Sequence, residues 1–237
     1  LLGKHIDGML YISRFTPIPE SSQLPMVCLD RLHHQPEGLA SVTSNNRMGG
    51  RLAARALLDA GCVRPAILCS HEDLELLLTV NDRFQGFRQE LAENHISLDK
   101  RDIIFSSLSI PESRQTIRRL VKRSRNFDGL FATSDISAIG AMAGLADNGV
   151  RVPEEVKVIG FDDISYCRYV NPSLSTIRQD TTRLGAEAAR MLLEMLEGRG
   201  EGMGNLEIPV ELVRRDSTAV LGCRRYKTPG GSRLGLD

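Results

Sequence analysis

The chain of 237 residues has no net charge, because its 30 lysines and arginines equal its 30 aspartates and glutamates. A domain that binds DNA through the phosphates normally carries a basic excess or a basic stripe. No apolar run approaches the roughly 20 residues that a membrane span needs. The charge balance therefore argues against direct nucleic-acid binding by this stretch, and the short apolar runs argue against a membrane span.

Cysteine is scarce and shows no metal-binding spacing. The five cysteines are Cys28, Cys62, Cys69, Cys167 and Cys223, and most lie inside apolar runs. Since no pair has the CxxC spacing of a zinc site or a redox pair, buried thiols are the simpler interpretation. Unpaired thiols persist in a reducing cytoplasm, which is where we expect the protein to act.

Motifs of catalysis are also missing. None of the five histidines has HExxH spacing, and the chain contains no GxSxG nucleophile turn. The paired glycines Gly49 and Gly50 match neither GxxxxGK[ST] nor GxGxxG, so they indicate a closely packed helix start rather than a phosphate site. We therefore expect neither an enzyme nor a bound cofactor or metal.

Short apolar runs alternate with amphipathic stretches along the chain. Runs rich in Ile, Val, Leu and Phe predict buried strands at Gly8–Ile12, Met26–Leu29, Ala66–Cys69, Ile103–Phe105, Gly129–Thr133 and Lys157–Phe161. Helical periodicity predicts helices at Met48–Ala60, Asp82–Asn94, Glu112–Arg123, Ile136–Asn148 and Thr182–Glu197. Strands that alternate with helices indicate an α/β fold with a parallel sheet and right-handed crossovers.

The segment VPEEVKVIGFDD, residues 152–163, ends a buried strand on two adjacent carboxylates. Open α/β sheets bind ligands at the carboxyl ends of their strands. Asp162 is the first candidate for a ligand role, since a carboxylate there can accept hydrogen bonds from two neighbouring hydroxyls of a polyol. The alternative is that Asp162 and Asp163 only cap the following turn.

Two predicted helix starts carry further candidates. Ser134 follows a predicted strand and can face a ligand, whereas Asp135 more readily caps the helix; capping by both residues is the alternative. Arg83 lies in the first turn of its helix, where the helix dipole disfavours a cation. A cation in that place suggests a guanidinium directed at ligand oxygens, although an ion pair with a neighbouring acid would also explain it.

Together these segments resemble the effector-binding core of the LacI/GalR (lactose/galactose-repressor-type) transcription regulators. The matching segments, in family order, include HIDGMLYIS, NNRMGGRLAARALLDAG, DRFQGFRQEL, VRVPEEVKVIGFDDI, LSTIRQD and IPVELVRRDST. They extend from Leu1 to about Ala219. The resemblance implies a periplasmic-binding-protein type of α/β fold, in which three crossover strands join two Rossmann-like subdomains with parallel sheets.

The resemblance also divides the chain. Residues 1–61 and 180–206 are assigned to an amino-terminal subdomain, and residues 62–179 and 207–220 to a carboxyl-terminal one. We expect the amino-terminal subdomain to be incomplete and the helix-turn-helix head to be absent from this stretch. The tail 221–237 is basic and punctuated by Gly and Pro, and we expect it to be disordered.

The resemblance implies a small-molecule effector, a sugar or sugar derivative, in the cleft between the subdomains. Matching motifs place the effector-holding residues at Arg83 and Asp162, a strand-tip residue at Ser134, and pocket or cleft residues at Thr79 and Gln179.

Two positions depart from the family pattern. Leu77 stands where relatives often carry a polar contact, and Ser109 where many place a stacking aromatic. The chain has no tryptophan at all, although a sugar ring usually rests on an aromatic face. The effector therefore need not be a common hexose.

The resemblance implies a homodimer that reads operator DNA only through the head. The residues expected at the dimer interface are Tyr166, Tyr169 and Val170, because exposed aromatics are enriched at interface cores; covering the end of the sheet is the alternative. We expect a cytoplasmic sensing and dimerisation core of a repressor. A periplasmic sugar-binding protein of the same architecture is the alternative, against which the unpaired cysteines and the IPVELVRRDST ending argue.

Overall fold

A computed structural model describes residues 6–12, 24–29, 39–71, 74, 78–200 and 203–219. Within these ranges ten strands form two sheets, a small one of four strands and a large one of six. Leu77 and the tail 221–237 lie outside the described residues. No helix in the described ranges is long and apolar enough to cross a membrane.

The small sheet is parallel throughout. Its strands are β1 (Met9–Tyr11), β2 (Met26–Leu29), β3 (Ala40–Ser44) and β9 (Asn205–Ile208). One helix, α5 (Thr181–Leu196), packs on it through Leu184, Ala188 and Met191. Since these positions lie at i, i+4 and i+7, they form one apolar face of the helix.

The strands of the large sheet are β4 (Pro65–Cys69), β5 (Ile103–Phe105), β6 (Gly129–Ala132), β7 (Lys157–Asp162), β8 (Ser175–Arg178) and β10 (Glu211–Val213). They lie in the order β10-β8-β7-β6-β4-β5, and all pairs are parallel except that the edge strand β10 runs antiparallel to β8. Helices cover both faces: α1 (Asn46–Asp59) and α2 (Leu78–Glu93) on one side, α3 (Ile110–Arg123) and α4 (Asp135–Ala146) on the other. Burial on both faces explains why the inner strands are continuously apolar rather than alternating.

Helix α1 corrects the division of the chain expected from the sequence. The resemblance assigns residues 46–59 to the amino-terminal subdomain, but the helix packs on the large sheet and against α2. Its Gly50 makes the contact close, because a Cβ atom there would lie 2.0 Å from the carbonyl oxygen of Arg83. The expectation of a closely packed helix start is thereby confirmed.

Within the described residues the chain passes between the two sheet units three times, after β3, after β8 and after β9. The α/β class with two sheets and three crossing segments is therefore confirmed. The second crossing connects Arg178 to Thr181, and the third connects Ile208 to Glu211. The residues that follow β7 lie beside the second crossing, since β7 pairs with β8 up to Asp162.

The thiols are buried as expected. Cys28, Cys62, Cys69 and Cys167 lie in the interior without a disulfide bond, and Cys223 falls outside the described residues. Burial raises the pKa of the Cys62 thiol to about 12. These four side chains therefore act as small apolar groups of the core.

Candidate functional site

The predicted site residues lie around the carboxyl edge of the large sheet. Ser134 follows β6, Asp162 ends β7, and Gln179 follows β8. Thr79 and Arg83 are both buried and lie one turn apart on α2, so they share one face of that helix. The fold thus places the candidates where parallel sheets bind ligands.

Arg83 is held by three different elements. Its Nε donates a hydrogen bond to Oδ1 of Asn46 at the start of α1 (2.8 Å), and its Nη1 donates to the carbonyl oxygen of Thr133 after β6 (2.8 Å). Its guanidinium carbon lies 3.6 Å from the ring centroid of Phe161 in β7. These contacts fix the plane of the guanidinium, whose side chain is only 8% exposed.

Asp162 lies between two donors. Its Oδ1 accepts a hydrogen bond from Nε2 of Gln179 (2.7 Å) and is 3.7 Å from Nη1 of Arg83. The Asp162 side chain remains 29% exposed, so a ligand can still reach the carboxylate. The structure therefore brings Arg83, Asp162 and Gln179 together, and the group combines a carboxylate acceptor with guanidinium and amide donors.

Ser134 caps a helix in this structure. Its Oγ accepts a hydrogen bond from the backbone N–H of Ser137 (3.2 Å) and donates one to Oγ of Ser137 (3.1 Å). Ser109 acts in the same way at the start of α3, where its Oγ accepts from the N–H of Glu112 (3.3 Å). The capping alternative thus describes the contacts of Ser134, which still lies next to the carbonyl of Thr133 that binds Arg83.

Asp135 does more than begin a helix. It is fully buried, and its Oδ1 accepts a hydrogen bond from the hydroxyl of Thr176 (2.6 Å) while its Oδ2 accepts from the N–H of Ile164 (2.9 Å). Burial raises the pKa of Asp135 to about 6, against the opposing effect of these hydrogen bonds and of one that the Cys167 thiol donates to the carboxylate. This carboxylate joins α4, β8 and the turn after β7.

Asp163 differs sharply from the acid beside it. Its side chain is 4% exposed and accepts hydrogen bonds from Nε of Arg178 (2.7 Å) and Nη2 of Arg215 (2.5 Å). Burial on its own would raise the pKa of Asp163, but the two guanidinium groups outweigh it and hold that pKa below its usual range. The adjacent carboxylates therefore have separate environments.

Sequence reasoning missed several residues of this region, namely Asn46, Phe161, Arg178 and Arg215. Asn46 contacts Arg83 across 37 positions of the chain, and Arg215 contacts Asp163 across 52. Such pairings need the folded chain. A local signal existed for Phe161 and Arg178, which directly precede the predicted residues Asp162 and Gln179.

The expected interface residues lie in the turn after β7. Tyr166 and Tyr169 are 65% and 81% exposed, whereas Val170 is half-buried against the core between the large sheet and α4. Of these three expected interface residues, the two tyrosines are therefore the ones that present a large side chain to solvent.

Comparison with known proteins identifies the family. The periplasmic binding protein-like domain matches residues 54–218. The ribose operon repressor of Halalkalibacterium halodurans is 33% identical over 91% of this chain and 63% of its own length, so the chain spans less than two thirds of that relative.

Solved structures agree with this match. A complex of the transcriptional regulator CelR with cellobiose superposes with a TM-score of 0.83 at 29% identity, over 91% of this chain and 67% of that one. A LacI family regulator from Enterococcus faecium with bound ribose gives a TM-score of 0.74 at 29% identity, over 83% and 72%. The chain therefore belongs to the periplasmic binding protein-like family, and it corresponds to the effector-binding region of the LacI/GalR-type transcription regulators.

Proposed function

We propose that this chain is the effector-sensing core of a LacI-type transcriptional repressor and that it binds a small neutral carbohydrate at the carboxyl edge of the large sheet. The observation that carries the proposal is the convergence of Arg83, Asp162 and Gln179 on one point of that edge. The site binds the carbohydrate without converting it chemically. The protein acts in the cytoplasm.

The charges of the site favour a neutral polyol. The carboxylate of Asp162 is 3.7 Å from the guanidinium of Arg83, so the two charges offset each other. Each sugar hydroxyl both donates and accepts, which suits a carboxylate beside guanidinium and amide donors. A phosphate group would meet the Asp162 carboxylate and be repelled. Ribose and cellobiose, which the two related structures hold, are polyols of this kind.

The position of the site suits sensing as well as binding. Gln179 lies in the second crossing between the sheet units, and Asn46, which binds Arg83, directly follows the first. A ligand that binds better to one arrangement of the two units shifts the population toward that arrangement. In a dimeric repressor this shift changes the spacing of the two DNA-reading heads.

We further propose that the chain forms a two-fold dimer through Tyr166 and Tyr169. Their exposure in one short turn supports this surface. A repressor that reads a two-fold operator needs a two-fold protein, and an isologous contact places the same turn of both copies together.

A thermal-shift screen of the purified chain tests the proposed function. The panel contains D-ribose, cellobiose, other pentoses and hexoses, and inorganic phosphate. A cleft ligand present at a hundredfold excess over its Kd should stabilise the fold by about 2.7 kcal/mol and raise the melting temperature. Stabilisation by phosphate alone, or by no sugar of the panel, would contradict the proposal.

A further inference from the structure

Asp162 and Asp163 both adopt backbone angles that side-chain-bearing residues rarely take. The φ angle is +121° at Asp162 and +58° at Asp163. Residues other than glycine occupy the left-handed half of the map only where their surroundings hold them there. The direction of the Asp162 carboxylate therefore depends on what fixes this turn.

The contacts of the neighbouring residues fix it. Both oxygens of the Asp163 carboxylate accept hydrogen bonds from arginines, one from Arg178 and one from Arg215. The next N–H, that of Ile164, donates to the buried carboxylate of Asp135 (2.9 Å). The turn is thus anchored immediately after Asp162.

The carboxyl end of β8 supplies hydrogen-bond donors to both Asp162 and Asp163. Arg178 donates to Asp163 (2.7 Å), and the next residue, Gln179, donates to Asp162 (2.7 Å). Arg178 also binds Glu211 at the start of β10 (2.7 Å), directly after the third crossing. The second and third crossings are therefore tied to the same pair of carboxylates.

We propose that Asp163, held by Arg178 and Arg215, is the positioning residue that keeps Asp162 and Gln179 in their effector-binding arrangement and links them to the crossing segments. The proposal rests on the proposed function, in which Asp162 binds the effector. Asp163 itself does not touch the ligand, because arginines occupy both of its oxygens and its side chain is buried.

A double-mutant cycle separates positioning from a general contribution to stability. The variants are Asp163→Asn, Asp162→Asn and the pair, each checked for folding by circular dichroism, with D-ribose and cellobiose as the titrated sugars. If Asp163 acts through Asp162, Asp163→Asn weakens sugar binding about tenfold in the wild-type background and less than about twofold once Asp162 is replaced. If Asp163→Asn weakened sugar binding by the same factor in the wild-type and Asp162→Asn backgrounds, the proposal would be refuted.

The control variant is Arg114→Gln. Arg114 binds Asp147 through two hydrogen bonds of 2.7 Å between α3 and α4, away from the site, so its loss should leave sugar binding unchanged. Arg178→Gln replaces Asp163→Asn if the latter does not fold, since it removes one partner of Asp163 and leaves Arg215.

Crystal structures of the sugar-free wild type and of Asp163→Asn decide the matter independently of any ligand. We expect the variant to lose the hydrogen bond between Gln179 and Asp162 and the left-handed φ of Asp162. A variant that retains both would overturn the positioning role. If no sugar binds to the wild type, the proposed function fails, whereas these structures still test whether Asp163 fixes Asp162.

Discussion

Replacing Asp135 by asparagine should change how the stability of the fold depends on pH. Asp135 is fully buried, and its pKa rises from 3.8 to about 6 because burial penalises the charged form. An acid whose pKa is raised on folding stabilises the fold fully below its unfolded pKa, and this contribution is lost as the pH rises through the folded pKa. The contribution of Asp135 to the stability of the wild type should therefore be lost between about pH 4 and pH 7, and Asp135→Asn should lack this contribution at every pH.

The size of the effect follows from the shift. About two pKa units correspond to about 3 kcal/mol, and roughly 2 kcal/mol of this falls between pH 4.5 and 7.5. The quantity to measure is the difference in unfolding free energy between wild type and variant, obtained from urea titrations at several pH values. Taking the difference removes the titration of the groups that both proteins share.

A second variant provides a control of opposite sign. The pKa of Asp147 is lowered, chiefly by its hydrogen bonds from Arg114, so its contribution is present at neutral pH and lost as the pH falls. The difference between wild type and Asp147→Asn should therefore grow with pH, while that for Asp135→Asn shrinks. A difference for Asp135→Asn that stays constant from pH 4.5 to 7.5 would refute the interpretation of Asp135 as a buried acid with a raised pKa.

Three further predictions test the site, the interface and the helix contact. Asp162→Asn should weaken the binding free energy of the sugar found in the thermal-shift screen by about 1.5–3 kcal/mol, as measured by titration calorimetry. An unchanged affinity would show that Asp162 does not belong to the site. Replacing Tyr166 and Tyr169 together by serine should raise the dimer dissociation constant in sedimentation equilibrium; a strict monomer in the wild type, or a dimer indifferent to the change, speaks against that surface. Gly50→Ala should cost about 1–3 kcal/mol or more in urea unfolding, because the added Cβ would lie 2.0 Å from a carbonyl oxygen of α2. Gly185→Ala, whose Cβ meets nothing within 4 Å, should instead stabilise the fold by about 0.5–1 kcal/mol, and similar effects at both positions would contradict the close helix contact.

The apolar strands could be predicted from the sequence and the polar ones could not. Strands β2 and β5 have the predicted bounds, because continuous apolar runs between turn residues are typical of buried parallel strands. Strand β3 has the sequence ASVTS, yet all five residues are buried. Its serine and threonine residues make the segment look like a polar loop in the sequence. In the fold these hydroxyl groups can be buried because neighbouring residues form hydrogen bonds with some of them; Ser41, for example, donates to Oδ1 of Asn205 (2.6 Å).

Short edge strands escape detection for a different reason. Strands β9 and β10 have four and three residues and lie at the edges of their sheets as described, each paired with one neighbouring strand. Alternation of apolar and polar residues over so few positions cannot be distinguished from the sequence pattern of a loop. Their place in the fold follows instead from the third crossing, which the family resemblance implies and the structure shows between Ile208 and Glu211.

The site shows which residues a linear pattern can indicate. The sequence predicts Arg83 in the first turn of a helix, where a cation opposes the dipole, but α2 extends from Leu78 and places Arg83 in the second turn. The guanidinium nevertheless lies against Asp162 and the Phe161 ring. The two acids at the end of β7 could not be ranked so firmly by chemistry, since they are the same residue type in adjacent positions. Strand β7 ends at Asp162, and both acids have positive φ angles, so the alternation of side chains along a strand does not fix their directions. The contacts made by the folded chain decide which carboxylate is buried. Arg178 and Arg215 hold the side chain of Asp163 in the interior, whereas Asp162 remains partly exposed and is the carboxylate that we propose for the ligand.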